Sequence, residues 1–170
     1  MTRRRSFYGW GYENEPLPAG ELEWFERAWA GLLGIEHFDP APMPRADEIA
    51  LRTPRVTPPA SLALVCTTDP HARLAHSYGR SVHDLARMIH RRDFSNPPDA
   101  VAYPRNEDDI RAVLDWCGAN DLAAIPFGGG SSVCGGVEPR ADGRYKAAVT
   151  LDLRHLVKVV EVDATSRAAL

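Results

Sequence analysis

Apolar positions recur along this chain with two different periods. Leu22, Phe25, Trp29, Leu32 and Leu33 follow the three- and four-residue spacing of an amphipathic helix, which Gly34 is placed to end. Such a stripe reads as a helix docking on a larger body; a partner-binding or membrane-surface helix is the competing reading. A second helix is expected over about 82–92, with Val82, Leu85, Met88 and Ile89 on its apolar face. Ser81 and Asp84 have capping-box spacing, the shorter Asp replacing the usual Glu. A third follows Asn106 as cap. Glu107, Asp108 and Asp109 sit at its positive end, Ile110, Val113, Leu114 and Cys117 form its buried face, and Gly118 and Asn120 stop it.

Between these lie shorter runs suited to strands: 61–65, 99–104, 122–126, 147–153 and the β-branched 156–162, with Asp142-Gly143-Arg144 as a turn candidate. Residues 39–59 are rich in Pro and charge and read as a connector with at most one short helix. The aromatics of residues 1–20, among them Phe7, Tyr8, Trp10 and Tyr12, are suited to anchoring that segment on a larger body. The order strand, helix, strand, glycine loop, strand fits a nucleotide-binding unit better than a helical bundle or a sandwich. The expected class is α+β, with a mainly helical extension over residues 1–92 and the unit itself over 93–170.

Composition narrows the picture by exclusion. At 170 residues there is room for a sizeable core, and a formal charge of -3 gives no global basic field for nucleic acid. Hydrophobic residues at 44% and charged residues at 25% argue against wholesale disorder. Arg3-Arg4-Arg5 is not followed by the apolar run of a signal peptide, and no stretch approaches a membrane span. Cys66, Cys117 and Cys134 are too scattered for a disulfide framework or a zinc motif, which fits a cytoplasmic location.

The candidate chemistry is concentrated at residues 126–136, Pro-Phe-Gly-Gly-Gly-Ser-Ser-Val-Cys-Gly-Gly. Gly128, Gly129 and Gly130 remove side chains where a phosphate would approach the backbone, and Ser131 and Ser132 offer hydroxyls. Gly135 and Gly136 supply a second permissive point. Composition alone leaves a flexible surface turn equally open. The spacing is neither G-x-G-x-x-G nor a P-loop. Cys134 has no evident activating base and reads as an incidental thiol. His76, His83 and Asp84 do not make a convincing ligand triad and read as structural.

Several of these segments together resemble a known family. Residues 98–104 (Pro-Asp-Ala-Val-Ala-Tyr-Pro), the helix start 106–110, the loop 125–133, and then 150–153 and 159–163 are similar, in the same order, to the flavin domain of the vanillyl-alcohol oxidase and p-cresol methylhydroxylase superfamily. Gly9-Trp10-Gly11-Tyr12 and residues 76–81 (His-Ser-Tyr-Gly-Arg-Ser) bring the resemblance closer to the alkyldihydroxyacetonephosphate synthase family.

The resemblance implies FAD as cofactor, with Pro126 shaping the entrance and Gly128, Gly129, Gly130, Ser131, Ser132, Val133, Gly135 and Gly136 holding the pyrophosphate. None of the six histidines lies in a covalent-attachment motif, so noncovalent FAD is expected. Asp152 is expected to support its strand end rather than move substrate protons. Valine at Gly129 is expected to add both bulk and backbone conflict. The implied reaction replaces the acyl group of acyldihydroxyacetone phosphate with a fatty alcohol; oxidation of hydroxy acids by an FAD enzyme and a non-catalytic nucleotide-binding module are the alternatives. A small-molecule or lipid-precursor substrate, a homodimer, and a cytoplasmic location peripheral to membrane follow from the same resemblance. The family's catalytic residues fall beyond Leu170, so none is assigned here. The chain is read as an N-terminal fragment that binds FAD weakly, if at all, and does not turn over.

Overall fold

The computed structural model describes residues 4–13, 15, 18–36 and 41–169. The first two residues of the expected connector, Asp39 and Pro40, lie outside them. Helix α1 spans Ala19–Leu33 and stops at Gly34, whose φ of 65° places it in the left-handed region that glycine enters without penalty. It forms where the periodicity predicts, yet none of its described residues is buried, and Trp24, Phe25, Trp29, Leu32 and Leu33 all remain exposed. The connector contains one 3-10 turn at Ala46–Glu48.

A mixed four-stranded sheet follows. Strand β1 (Cys66–Thr67) runs antiparallel to β2 (Ala100–Ala102), and β2, β4 (Ala147–Asp152) and β3 (Leu122–Phe127) run parallel, in the order β1-β2-β4-β3. Parallel neighbours need a crossover. Helix α4 (Glu107–Ala119) supplies the one between β2 and β3, and the glycine-rich stretch carries the chain from β3 to β4. Pro126 is tolerated in β3 because that strand is an edge, where a missing N–H leaves no ladder partner unsatisfied.

Period-two alternation sorts β4 into two faces. Ala147, Val149 and Leu151 join Ala100, Ala102, Val113, Cys117 and Leu122 in an apolar cluster under α4. Thr150 and Asp152 turn the other way. On that side lie α2 (Pro70–Ala75) and α3 (Val82–Ile89), and a second cluster gathers Phe7, Leu74, Ala75, Tyr78, Met88 and Phe94. The caps are those the sequence predicts: Ser81 and Asp84 exchange hydrogen bonds at 3.0 and 3.3 Å, and the Asn106 side chain accepts from the Asp109 amide at 2.9 Å. Helix α2 was not expected, although Asp69 caps it and Pro70 opens it, a readable start signal.

Two expected strands differ. In place of a strand over 61–65, Pro59 sets up a 3-10 turn at Ala60–Leu62, and pairing begins only at Cys66. Over 156–162 only Val162 is in a strand: β5 (Val162–Asp163) pairs with β6 (Ala168–Ala169) in a separate two-stranded sheet. Val157, Val159, Val160 and Val162 are exposed. β-Branched residues favour strands through their neighbours, and among the described residues Val157, Val159 and Val160 have no ladder partner. No described helix is long and apolar enough to cross a membrane.

Candidate nucleotide-binding site

The parallel strands β3 and β4 end side by side at Phe127 and Asp152, and the glycine loop leaves from that edge. In open α/β sheets this carboxyl end is where ligands bind. Pro126 is exposed as the penultimate residue of β3; Gly128, Gly129, Ser131, Val133, Cys134, Gly135 and Gly136 are exposed, Ser132 is half-buried, and Gly130 is buried. All nine residues singled out in the sequence therefore lie in or beside one loop. What holds it is partly outside the glycine stretch.

The glycines divide into two kinds. Gly130 has φ 71°, and a Cβ there would stand 2.4 Å from Cζ of Phe127, so the fold itself requires glycine. Gly135 has φ 77° and is restricted by backbone alone. Gly128 and Gly129 have neither restriction: a Cβ on Gly128 would meet nothing within 4 Å, and one on Gly129 only the Ser131 hydroxyl at 3.8 Å. The backbone conflict expected at Gly129 thus belongs to its neighbour, and bulk alone remains as the effect of a side chain there. The space above Gly128 and Gly129 is free for something outside the chain.

Among the described residues, none of the amides from Gly129 to Val133 donates a hydrogen bond within the chain. The Ser132 hydroxyl accepts from the Gly136 amide at 3.1 Å, closing the second half of the loop on itself. Free amides on a turn with no side chains in front of them suit an anion. Beside them opens a cleft of about 370 Å³ lined by Arg5, Gly11, Tyr12, Gly128, Gly129 and Arg154. Among the described residues, no acidic one lines it.

The segment after α2 clamps the loop from behind. The Arg80 amide donates to the Ser132 carbonyl at 2.8 Å, and Gly79 lies so close that a Cβ would stand 2.0 Å from that same oxygen. The buried Arg80 guanidinium donates to the carbonyls of Gly79, Gly9 and Ser6 at 2.8, 2.9 and 3.2 Å, tying the N-terminal turn to the same place. Burial lowers its pKa to about 10, nearby Arg5 pushes in the same direction, and Asp84 opposes them.

Under the strand ends lies a polar pair. His76 Nε2 is 2.8 Å from Asp152 Oδ2 and its Nδ1 is 2.6 Å from the Ala72 carbonyl; both groups of the pair are buried. The Arg154 amide and guanidinium also donate to Asp152. Burial alone would raise the Asp152 pKa, but the hydrogen bonds from His76 and Arg154 outweigh it and hold the carboxyl at about 2. The His76 ring also packs on Phe127 at 4.4 Å between centroids, and Phe127 in turn supports Gly130. Asp152 therefore stands at its strand end as a structural acceptor. His83 is exposed, and Asp84 is occupied by its capping box. The Cys134 thiol is exposed and held below its ordinary value by the neighbouring Ser132 hydroxyl at 3.6 Å.

Gly79, Arg80, Arg5 and Arg154 were not singled out as site residues in the sequence. Gly79 and Arg80 fall in the segment 76–81 that carried part of the resemblance, which was their one legible signal; Arg5 was visible only as part of a basic run.

Comparison with known proteins agrees with this geometry. Residues 98–170 match the family described as FAD binding domain. Alkyldihydroxyacetonephosphate synthase of Trypanosoma brucei brucei is 34% identical over 102 residues, 60% of this chain and 16% of that protein. Glycolate oxidase subunit GlcD of Bacillus subtilis (strain 168) is 32% identical over 76 residues, 45% of this chain and 15% of that protein. A solved structure of alkyldihydroxyacetonephosphate synthase superposes with a TM-score of 0.73 at 22% identity, covering 97% of this chain and 35% of that one, a likeness of fold. The matched stretches span only 16% and 15% of the two curated relatives' lengths.

Proposed function

We propose, from a chain that is a member of the p-cresol-methylhydroxylase-type FAD-binding superfamily, that the glycine loop holds FAD noncovalently by its pyrophosphate. The observation that carries this reading is the pair Gly128 and Gly129, which nothing in the fold obliges to be glycine and which face an open cleft beside free amides. Gly129 to Val133 present those amides, Gly135 and Gly136 turn the chain back, and Pro126 stands one residue before the end of the edge strand, at the entrance. Asp152 and His76 hold the strand ends apart from any ligand contact. Residues 93–170 form the cofactor-binding unit, and residues 1–92 are an extension that contributes supports to it.

FAD bound here supplies two-electron chemistry at its isoalloxazine ring. We infer for the whole protein an alkyldihydroxyacetonephosphate synthase-like reaction, exchange of the acyl group of acyldihydroxyacetone phosphate for a fatty alcohol. Its support is the identity to the trypanosome synthase, which extends over more of this chain than the glycolate oxidase match. The glycolate oxidase likeness supports the second reading, an FAD-dependent oxidoreductase acting on hydroxy acids. Mass analysis of products decides between them: an ether product without consumption of an electron acceptor supports the first, and acceptor reduction by a hydroxy acid without an ether product supports the second. The cofactor reading has its own test. Gly129→Val fills the cleft and is expected to lower FAD occupancy per folded protein far below that of Cys134→Ala; equal occupancy in the two variants counts against the loop.

A further inference from the structure

We propose that Arg5, about 120 residues away in sequence from the glycine loop, is a cofactor-positioning residue that supplies the cationic counter-charge for the pyrophosphate of FAD. The inference rests on the FAD reading above and adds a residue to it. Arg5 Nη2 donates to the Gly129 carbonyl at 2.5 Å, and its guanidinium carbon lies 5.4 Å from the centroid of the Phe127 ring. Those two contacts fix the head group at the rim of the cleft that Gly128 and Gly129 also line. An arginine carries five N–H donors, so one bond to Gly129 leaves most of the fork free to face a ligand.

Charge decides what that ligand is. Arg154, the other cation in the cleft, is neutralised by Asp152 beneath it. Arg5 has no carboxylate partner among the described residues, whereas its neighbour Arg4 pairs with Glu13 at 2.7 Å. The cleft therefore holds one uncompensated cation, next to free amides and across two open glycines. That combination matches a pyrophosphate dianion rather than a neutral group.

The placement is built rather than incidental. Arg5 bridges to Tyr12 across a tight turn in which the Ser6 amide donates to the Gly11 carbonyl at 3.1 Å. Arg80 grips the turn at Ser6 and Gly9 while its own amide holds Ser132. One buried arginine thus fixes the glycine loop and the turn that presents Arg5 to it. Phe7, buried in the α2–α3 cluster, anchors the same turn from below.

The test titrates FAD into the whole protein as wild type, Arg5→Gln and Arg5→Lys, following flavin fluorescence at two salt concentrations, with ligand-free unfolding temperatures measured alongside. Arg5→Gln is expected to weaken FAD binding by about 10- to 100-fold, the range of one charge-assisted hydrogen bond, at an unchanged unfolding temperature. Arg5→Lys is expected to recover part of the affinity, and the salt dependence seen in the wild type is expected to shrink in Arg5→Gln. Wild-type affinity in Arg5→Gln overturns the proposal, and so does a loss that tracks a fall in unfolding temperature and is not recovered by Arg5→Lys. A whole wild-type protein that binds no FAD overturns the FAD reading itself, and this inference with it.

Discussion

The two faces of the sheet are held by different physics. Under α4, Val149, Leu151, Val113, Cys117 and Leu122 close a dry cluster whose attraction has no direction and changes little with pH. Burial pushes the thiol of Cys117 up to about 11, as expected of a small hydrophobe in such surroundings. The opposite face adds buried carboxylates to its own apolar cluster. Asp99 accepts from the Arg52 and Arg55 guanidiniums and from the amides of Arg55 and Ala148, so it stitches the Pro-rich connector to the sheet. Asp152 does the same for α2 through His76. The apolar face tolerates imprecision and the polar face does not. The glycine loop springs from the edge where the polar network ends, so its shape depends on directional bonds more than on packing.

The largest predicted effect attacks that network. Asp99→Ala removes the acceptor of the buried Ala148 amide, of the Arg55 amide and of two guanidiniums, and the burial of Asp99 makes the loss expensive; a fall of about 3–5 kcal/mol in unfolding free energy is expected by urea titration. Val113→Ala, in the middle of the other face, is expected to cost about 2 kcal/mol, the transfer and cavity terms of a small side chain. If the valine costs as much as the aspartate, the contrast between the faces fails.

Acid should separate the faces next. Asp152 has its carboxyl depressed to about 2 in the fold, against about 4 in an unfolded chain, so its contribution is fully present above about pH 4 and is lost as pH falls toward 2. That contribution is about 2 kcal/mol. Burial works against ionisation of Asp99 too, but the bonds from Arg55 and Arg52 overcome it and depress its pKa further, so its share is lost in the same direction at still lower pH. Unfolding free energy measured from pH 5 to pH 2 should fall in the wild type, fall less in Asp152→Asn, and fall with the wild-type slope in Val113→Ala. A flat wild-type profile would remove the carboxylates from the account.

Legibility in the sequence follows the same division. The apolar face was readable because Val113 and Cys117 repeat at helical spacing and the strands beside α4 are short apolar runs, so local pattern placed them. The caps Ser81 and Asn106 were readable because their bonds are local. Asp152 meets His76 across 76 residues and Arg52 meets Asp99 across 47, and no local pattern announces such pairs. The loop was located from its glycines, but which glycine serves the fold and which serves a ligand depends on where the Phe127 ring lies. Val157, Val159 and Val160 show the converse error, a local propensity read as a strand where, among the described residues, no neighbouring strand receives it.

The smallest effect on stability is expected at Gly128, and it is the most informative about the loop. Gly130→Ala puts a methyl group into the Phe127 ring at a positive φ, so it should destabilise the fold by about 1–3 kcal/mol before any ligand is considered. Gly128→Ala meets no atom within 4 Å and suffers no such backbone restriction. Its unfolding free energy should stay within about 0.5 kcal/mol of the wild type, or rise slightly because alanine restricts the unfolded chain. Its new methyl nevertheless projects beside the cleft where the pyrophosphate is proposed to rest. Thermal unfolding without ligand and FAD titration of both variants separate the two roles. Gly130→Ala should lose stability and affinity together, whereas Gly128→Ala should lose affinity alone. Wild-type affinity in a fully folded Gly128→Ala would leave the openness at Gly128 without a ligand to explain it, and the loop would have to be read as a surface turn.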